Sequence, residues 1–168
     1  MTTIASWNVN SVRARIDNIT AWLQTNQPDI ALFQEIKAQD EQFPGEAFED
    51  LGYNLAIHGQ KSYNGVAILA KEPIHDVLTG LPGDDQDEQA RYIEAEIGGI
   101  RVASIYLPNG NPPGTDSQAS EKYEYKLAWM ERLYKHAASL LADDIPFVLG
   151  GDYNVIPEPR DAADINAW

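Results

Sequence analysis

The chain has 168 residues, with 12 lysines and arginines against 26 aspartates and glutamates, and it has no cysteine. This length fits one domain with a sizeable core, and the formal net charge of -14 makes the molecule repel anions, so a phosphate ligand must be held locally by a metal ion or a few aimed donors. The lack of cysteine excludes disulfides, thiolate catalysis and cysteine-bound zinc or iron–sulfur centres. Because the N-terminus lacks a charged leader before an apolar stretch and no apolar run reaches membrane-spanning length, we expect a soluble, cytoplasmic protein with no membrane partner.

Five short apolar runs predict β-strands that are covered on both faces. They lie at residues 3–9, 30–34, 65–70, 101–107 and 146–150. Between the first two runs, apolar residues at helical spacing predict one stripe of a helix that Pro28 prevents from continuing. The members of this stripe are Val12, Ile16, Ile19 and Leu23.

A second, longer helix is predicted near the end of the chain. Ser117 or Ser120 can cap its N-terminus, and Glu131 and Lys135 form an exposed pair four residues apart. Apolar residues at alternating spacings of four and three predict its core-facing stripe, which consists of Tyr123, Leu127, Met130, Tyr134, Ala137 and Leu141.

Residues 91–97 and 100–106 are joined by Gly98-Gly99, which favours a tight hairpin. The predicted sheet is therefore mixed rather than all parallel, and the chain belongs to an α/β or α+β sandwich class. Residues 80–89 carry four acids and no base, and residues 108–114 contain three prolines and two glycines, which predicts two surface loops.

Polar side chains fall at the ends of the predicted strands. They are Asn8, Glu35, Tyr106, Asp152 and Asn154. Because ligands bind beyond the carboxyl ends of strands in open α/β sheets, we expect these residues to converge on one site if their strands are neighbours. Their oxygen atoms suit Mg²⁺ or Mn²⁺, whereas the histidines at positions 58, 75 and 136 are too scattered to indicate zinc.

The spacing of Asp152 and Asn154 adds a finer expectation. In extended backbone, residues two apart face the same way with Cα atoms about 6.6 Å apart, so one group can handle water while the other holds a phosphate oxygen. Gly150 and Gly151 let the backbone turn sharply or approach a ligand closely. Singly, however, an acid or amide after a strand is more often a solvated loop residue, and Tyr106 alone fits the edge of a core. The residues alone therefore indicate only a metal-dependent phosphoesterase.

Basic residues near these positions have an ordinary alternative as well. Arg13, Arg15 and Lys37 fit solvated charges of a helix or loop, and Arg91 fits a partner for the acids at 84–88.

Six linked motifs run in order along the chain. They are SWNVNSVRAR at 6–15, LFQEIK at 32–37, HGQKSYNGVAIL at 58–69, ARYIEAEI at 90–97, IYLPNG at 105–110 and LGGDYNVIPEPRD at 149–161. Together they resemble the bacterial exonuclease III family of abasic-site endonucleases and 3′-exonucleases, within the wider endonuclease/exonuclease/phosphatase fold.

The resemblance implies catalytic roles at the matching positions. Glu35 would be the principal carboxylate ligand of Mg²⁺ or Mn²⁺, with Asn8 hydrogen-bonded beside it or near the metal. Asp152 would orient or deprotonate the attacking water, and Asn154 would position the scissile phosphate.

It also implies how double-stranded DNA with an abasic site or a 3′ end would be held, with no obligate protein partner. Tyr106 and Asn109 would contact the phosphate and stabilise its developing charge, although some relatives have glutamine at the latter position. Arg13, Arg91 and Lys37 would meet the DNA backbone beside the lesion.

The resemblance finally implies a four-layer α/β sandwich of which residues 1–168 form the N-terminal half. The family's other half supplies the second sheet, an aspartate and a Ser-Asp-His motif, so we expect a largely missing second sheet, an incomplete catalytic set, an uncovered apolar sheet face and slow hydrolysis.

Two alternatives to this function stay open. One is a phosphodiesterase of this fold that acts on a non-DNA ester, and the other is a non-catalytic DNA-binding fragment, which the acidic charge disfavours.

Overall fold

The computed structural model describes residues 1–110 and 117–161. Its strands are β1 (Ile4–Asn8), β2 (Ile30–Gln34), β3 (Asn54–His58), β4 (Val66–Ala70), β5 (His75–Thr79), β6 (Tyr92–Ile97), β7 (Ile100–Tyr106) and β8 (Phe147–Asp152). Its helices are α1 (Ile16–Asn26), α2 (Glu46–Glu49) and α3 (Ser117–Ala142), with single 3-10 turns at Asp40–Gln42 and Pro159–Asp161. The five apolar runs predicted as strands correspond to β1, β2, β4, β7 and β8, and the two predicted helices correspond to α1 and α3.

The strands form two mixed sheets of four strands each, so the expectation that the second sheet is largely missing is wrong. The first sheet has the order β1-β2-β4-β3, in which only β1 and β2 are parallel neighbours. The second has the order β5-β6-β7-β8, in which only β7 and β8 are parallel neighbours. Strands covered on both faces have the same continuous apolar pattern in either sheet, so the runs themselves do not assign strands to sheets.

The two sheets pack face to face, and a helix covers the outer face of each. Helix α1 packs on the first sheet and α3 on the second, which makes four layers in the order helix, sheet, sheet, helix. The predicted uncovered apolar face is also wrong, because the second sheet covers it. The core between the sheets includes Ile30, Leu32, Ile68, Ile93 and Val102.

Helix α1 follows its predicted stripe. Ile19 and Leu23 are buried and Ile16 packs against them from a partly buried position. Val12 is buried in the same cluster but lies in the turn before the helix, so its predicted place on the helix is wrong. The helix ends at Asn26, two residues before Pro28, and Gln27 closes it in the left-handed conformation.

Helix α3 buries a different stripe from the predicted one. Trp129, Leu133 and Leu140 are buried, whereas four members of the predicted stripe are exposed: Leu127, Met130, Tyr134 and Leu141. Both stripes have helical spacing, so the period alone cannot say which one meets the sheet. The exposed pair of Glu131 and Lys135 is confirmed at 3.3 Å, while the predicted caps at Ser117 and Ser120 fall outside the described side chains.

The predicted hairpin at Gly98-Gly99 is confirmed, since β6 and β7 are antiparallel and Ile97 pairs with Ile100. Both glycines have positive φ, as this type of two-residue turn requires. The predicted loop at 80–89 contains no strand or helix, and the part of the 108–114 loop from 111 onward lies outside the described residues. In the part of the chain that the structure describes, no helix combines the length and apolarity needed to cross a bilayer.

Candidate active site at the mouth of the inter-sheet core

Every second residue of four neighbouring strands faces the space between the two sheets, and these positions become polar toward one end. Deep in the sandwich the side chains are aliphatic, one step further they are mostly small or polar, and at the mouth they can carry chemistry. The series are Ile4, Ser6 and Asn8 in β1; Ile30, Leu32 and Gln34 in β2; Val102, Ser104 and Tyr106 in β7; and Val148, Gly150 and Asp152 in β8.

A buried polar tier connects the two sheets just beneath the mouth. Gln34 of the first sheet donates to Ser104 Oγ of the second at 3.0 Å, and Ser104 donates to the carbonyl of Phe33 at 2.9 Å. Ser6 also lies within hydrogen-bond reach of the Gln34 amide. Because Gln34 and Ser104 are fully buried, this tier fixes how one sheet sits on the other below the reactive groups.

Asn8 bridges two carboxylates that belong to different sheets. Its Nδ2 donates to Glu35 Oε1 at 2.9 Å and to Asp152 Oδ2 at 2.8 Å, while its Oδ1 accepts the backbone N–H of Asn10. An atom placed between two carboxylates must be the donor, so the amide faces them with nitrogen. The predicted convergence of these strand ends is confirmed, and Asn8 is hydrogen-bonded beside Glu35 as one of its two predicted arrangements requires. Its place near a metal stays a prediction.

Glu35 lies just after β2 with φ of 52°, in the left-handed region that few non-glycine residues adopt. Burial opposes ionisation of its carboxyl, but hydrogen bonds from Asn8, Lys37 and Tyr106 outweigh burial and lower its pKa below the ordinary value. Its Oε2 pairs with Lys37 Nζ at 2.9 Å. Lys37, predicted to meet the DNA backbone, therefore faces the carboxylate in this structure and also donates to Asn10 Oδ1 at 2.5 Å.

Tyr106 reaches across from the second sheet to the first. Its hydroxyl donates to Glu35 Oε1 at 2.9 Å. Burial together with the negative charge of Glu35 raises the pKa of Tyr106 to about 12, so the phenol stays protonated as a donor at neutral pH. Arg91 stacks its guanidinium 4.9 Å from the Tyr106 ring centroid and donates to Gln89. The acids at 84 and 87 pair with Arg132 rather than with Arg91, while the predicted contact of Arg91 with DNA stays a prediction.

The segment from Asp152 to Asn154 is not extended, which corrects the predicted spacing argument. Asn154 is left-handed with φ of 46°, and its own N–H donates to Asp152 Oδ1 at 3.0 Å. Its side-chain nitrogen donates to the carbonyl of Leu107 at 2.8 Å. The two residues are therefore held by a tight turn that ties the end of β8 to the segment after β7.

The two glycines before this turn are sites of close packing within the chain. A Cβ on Gly150 would lie 2.7 Å from Leu32 Cδ1 of the first sheet. A Cβ on Gly151 would lie 2.0 Å from the carbonyl oxygen of Ile105 in β7. A side chain on Gly151 would collide with the backbone of β7, whereas one on Gly150 would require the Leu32 side chain to shift.

Two further predicted DNA-contacting residues are exposed to solvent. Arg13 is exposed in the segment between β1 and α1, and Asn109 is exposed three residues after Tyr106. In the 80–89 loop, Asp87 forms an ion pair with Arg132 of α3 at 2.7 Å.

One residue in contact with the site was not among the sequence-based candidates. Lys126 of α3 donates from Nζ to the backbone carbonyl of Asn154 at 2.6 Å. Nothing in the helical pattern separates it from a solvated lysine, although its neighbour Trp129 marks the buried side of the helix.

The donor chemistry of the site fits a hard divalent cation. Asn8 and Tyr106 occupy Glu35 Oε1, so Oε2 is the oxygen directed toward a positive charge, which Lys37 supplies in this structure. The groups are oxygen donors without histidine, as Mg²⁺ prefers. Over residues 1–110 and 117–161, no group of three or more histidine, aspartate or glutamate side chains lies close enough to hold a metal by itself.

Comparison with known proteins connects this arrangement to a family. The sequence model of the Endonuclease/Exonuclease/phosphatase family matches residues 5–167. Exodeoxyribonuclease III of Haemophilus influenzae is 35% identical over 164 residues, covering 93% of this chain and 58% of the relative. The structure of an AP endonuclease from Archaeoglobus fulgidus matches with a TM-score of 0.82 at 42% identity, covering 95% of this chain and 60% of that one. A 3′ phosphatase from Neisseria bound to a product DNA hairpin matches with a TM-score of 0.90 at 35% identity, covering 100% of this chain and 63% of that one.

These matches confirm the predicted resemblance to the exonuclease III family and the predicted mixed α/β class. In each of these comparisons the chain spans less than two thirds of the relative's length.

Proposed function

We propose, on the premise that this chain belongs to the endonuclease/exonuclease/phosphatase family, that it acts as a metal-dependent DNA repair nuclease that hydrolyses phosphodiesters at abasic sites and 3′ ends. One observation carries the proposal. At the mouth between the sheets, Asn8 joins the Glu35 and Asp152 carboxylates, and the Tyr106 phenol donates to Glu35. The set offers a cation ligand, a base and a hydrogen-bond donor within one hydrogen-bonded group.

The choice of substrate is supported by the named relatives and by charge. An exodeoxyribonuclease III, an AP endonuclease and a 3′ phosphatase with bound DNA are among the matches. With a net charge of -14, the chain gains no general attraction to DNA, so a local cation and aimed donors would have to hold the phosphate. A sugar without its base leaves the helix at little unstacking cost, which favours abasic sites.

The roles follow from the geometry. Asp152, held by Asn8 on one oxygen and by the Asn154 N–H on the other, would orient and deprotonate the attacking water. Tyr106, kept protonated by its raised pKa, would donate to the phosphate as charge develops there. Glu35 would hold Mg²⁺ or Mn²⁺ through Oε2, and the bound ion would polarise the phosphoryl oxygens. Asn154 would position the scissile phosphate, with its side-chain oxygen left for this task because its nitrogen bonds Leu107.

The remaining sequence-based roles stay predictions within this proposal. Asn109 would contact the phosphate, and Arg13 and Arg91 would meet the backbone beside the lesion, together with Lys37 once a cation replaces its ammonium at Glu35. Residues 1–168 would form the N-terminal half of the domain, and the protein would act in the cytoplasm. The rate of this chain would be far below that of a full-length relative, because groups from the other half would be needed to complete the site.

The test compares two substrates and two variants. Purified, mass-verified chain is incubated with a duplex that carries one abasic site and, separately, with bis(4-nitrophenyl) phosphate, each with Mg²⁺ and with EDTA. We expect slow Mg²⁺-dependent cleavage at the abasic site, none with EDTA and none by Asp152→Asn. Hydrolysis of the small ester without cleavage of the duplex, or cleavage that Asp152→Asn retains, would contradict the proposal.

A further inference from the structure

Lys126 joins three parts of the molecule at the candidate site. Its helix is seated on the second sheet through Trp129 and Leu133, and its ammonium donates to the carbonyl of Asn154 at 2.6 Å. The turn that carries Asp152 and Asn154 is thereby connected to a rigid element by a charge-assisted hydrogen bond.

Gly110 explains how the lysine stem reaches that carbonyl. A Cβ at Gly110 would lie 2.7 Å from Lys126 Cδ and 3.2 Å from its Cβ. The stem therefore runs directly over the backbone of residue 110, and even an alanine there would displace it. The last residue of the IYLPNG motif thus leaves room for Lys126, and the stem ties the segment after β7 to the same helix.

The Asn154 conformation needs such support. A left-handed asparagine is sparsely populated and persists only where its surroundings fix it. Three bonds fix it here: its N–H to Asp152, its side-chain nitrogen to Leu107, and the Lys126 ammonium on its carbonyl. Burial lowers the pKa of Lys126, and the nearby Asp152 charge opposes that effect, so the ammonium is set among polar groups of the site rather than in open solvent.

We propose that Lys126 is a positioning residue that holds the left-handed turn at Asn154 and so aims Asp152 and Asn154 at the substrate phosphate, an inference that rests on the proposed nuclease function. It acts through the Asn154 carbonyl, not by binding DNA. Because Lys126, Asn154 and Gly110 sit on three separate segments, the lysine sets their relative placement.

The experiment uses the full chain with Lys126→Met, the conservative Lys126→Arg and the control Lys135→Met, whose lysine is exposed on the same helix and pairs with Glu131. We expect Lys126→Met to lower single-turnover cleavage of an abasic duplex up to about 100-fold, because small misplacements are this costly. The Kd for an uncleavable abasic duplex and its salt dependence should stay within about threefold of wild type. Lys126→Arg should recover part of the rate, and Lys135→Met should match wild type.

A readout independent of catalysis accompanies the kinetics. Hydrogen exchange at the Asn154 amide should become about tenfold faster in Lys126→Met, the loss expected for one hydrogen bond, and stay unchanged in Lys135→Met. If the slope of log Kd against log salt falls by about one unit while Asn154 exchange is unchanged, Lys126 contacts phosphate and the inference is overturned. Unchanged exchange with unchanged rate overturns it too. If the wild-type chain does not cleave DNA at all, the proposed function fails, while the exchange result still decides whether Lys126 holds the turn.

Discussion

Two carboxylates in this molecule each accept hydrogen bonds from three side chains, one of them a tyrosine, but they differ in their exposure to solvent. Glu35 receives hydrogen bonds from an amide, a lysine and the Tyr106 phenol. Glu94, in the middle of β6, receives them from the Tyr92 phenol, His136 of α3 and Arg101 of β7. The Glu35 side chain is 20% exposed, whereas that of Glu94 is 2% exposed.

The difference lies in where each strand places its acid. Glu94 points toward α3, and His136 closes over it, so its charge connects helix to sheet. Glu35 comes one residue after the end of β2, at the mouth between the sheets, where a cation and a phosphate can enter. A carboxylate with three donors, one of them a tyrosine, is thus no sign of catalysis by itself, because access from solvent decides whether it can react.

The largest expected effect is a loss of DNA cleavage, and it should follow from changes at the Glu35 cluster but not at the Glu94 cluster. Asp152→Asn keeps the size of the side chain but removes the base that Asn8 orients, so cleavage of an abasic duplex should fall by up to about 10⁴-fold. The midpoint of urea unfolding should change little. Asp143→Asn, at an exposed aspartate after α3, is the matched control, and a comparable loss there would show that the effect is not specific to the site.

The second effect is on stability and belongs to the other cluster. Glu94→Gln leaves Arg101 and His136 without a buried anion, which should lower the free energy of unfolding by about 3 kcal/mol. Urea unfolding measures it, with the exposed Glu124→Gln as control. Cleavage per folded molecule should stay at the wild-type level, and a loss as large as that of Asp152→Asn would mean that the Glu94 cluster serves the reaction.

A smaller effect tests the tyrosine that each cluster contains. Tyr106→Phe removes one donor at the mouth and should lower cleavage about 100-fold, or about 2.7 kcal/mol in the barrier. Tyr92→Phe removes the equivalent phenol beside Glu94 and should leave cleavage per folded molecule unchanged. Equal losses from the two variants would erase the distinction drawn between the clusters.

The smallest effect appears on acidification. Burial opposes ionisation of Glu94, but bonds from Tyr92, His136 and Arg101 outweigh it and lower its pKa below the ordinary value of 4.5. Such a carboxyl stabilises the fold above its unfolded pKa, and this contribution is lost as pH falls through the folded pKa. Urea midpoints of wild type and Glu94→Gln should therefore converge below about pH 4.5. A gap that stays constant down to about pH 3 would show that ionised Glu94 does not stabilise the fold.

Much of the fold was predictable because its strands are buried on both faces and read as continuous apolar runs. β2 and β4 are buried at every position. The division into two sheets was not predictable, since Leu32 and Val102 look alike in sequence although they face each other from different sheets. On α3, the choice between the Leu127 and Trp129 stripes likewise depends on the shape of the sheet, not on the period.

The site was predictable to the extent that strand ends carry it. Asn8, Glu35, Tyr106 and Asp152 come together as expected from their positions. The bridging role of Asn8 and the left-handed turns at Glu35 and Asn154 depend on contacts between distant segments, which no local pattern encodes. Lys126 escaped notice for the same reason, because its partner lies 28 residues away on another element.

Gly150 has a consequence for how this protein can fail. It is where β8 rests on Leu32 of the opposite sheet, directly below the groups that face the solvent. A bulky replacement there would separate the reactive residues of the first sheet from those of the second, although every reactive side chain would still be present. Inactive but well-folded variants in a random library should therefore include substitutions in the tier beneath the mouth, at a residue to which no catalytic role is assigned.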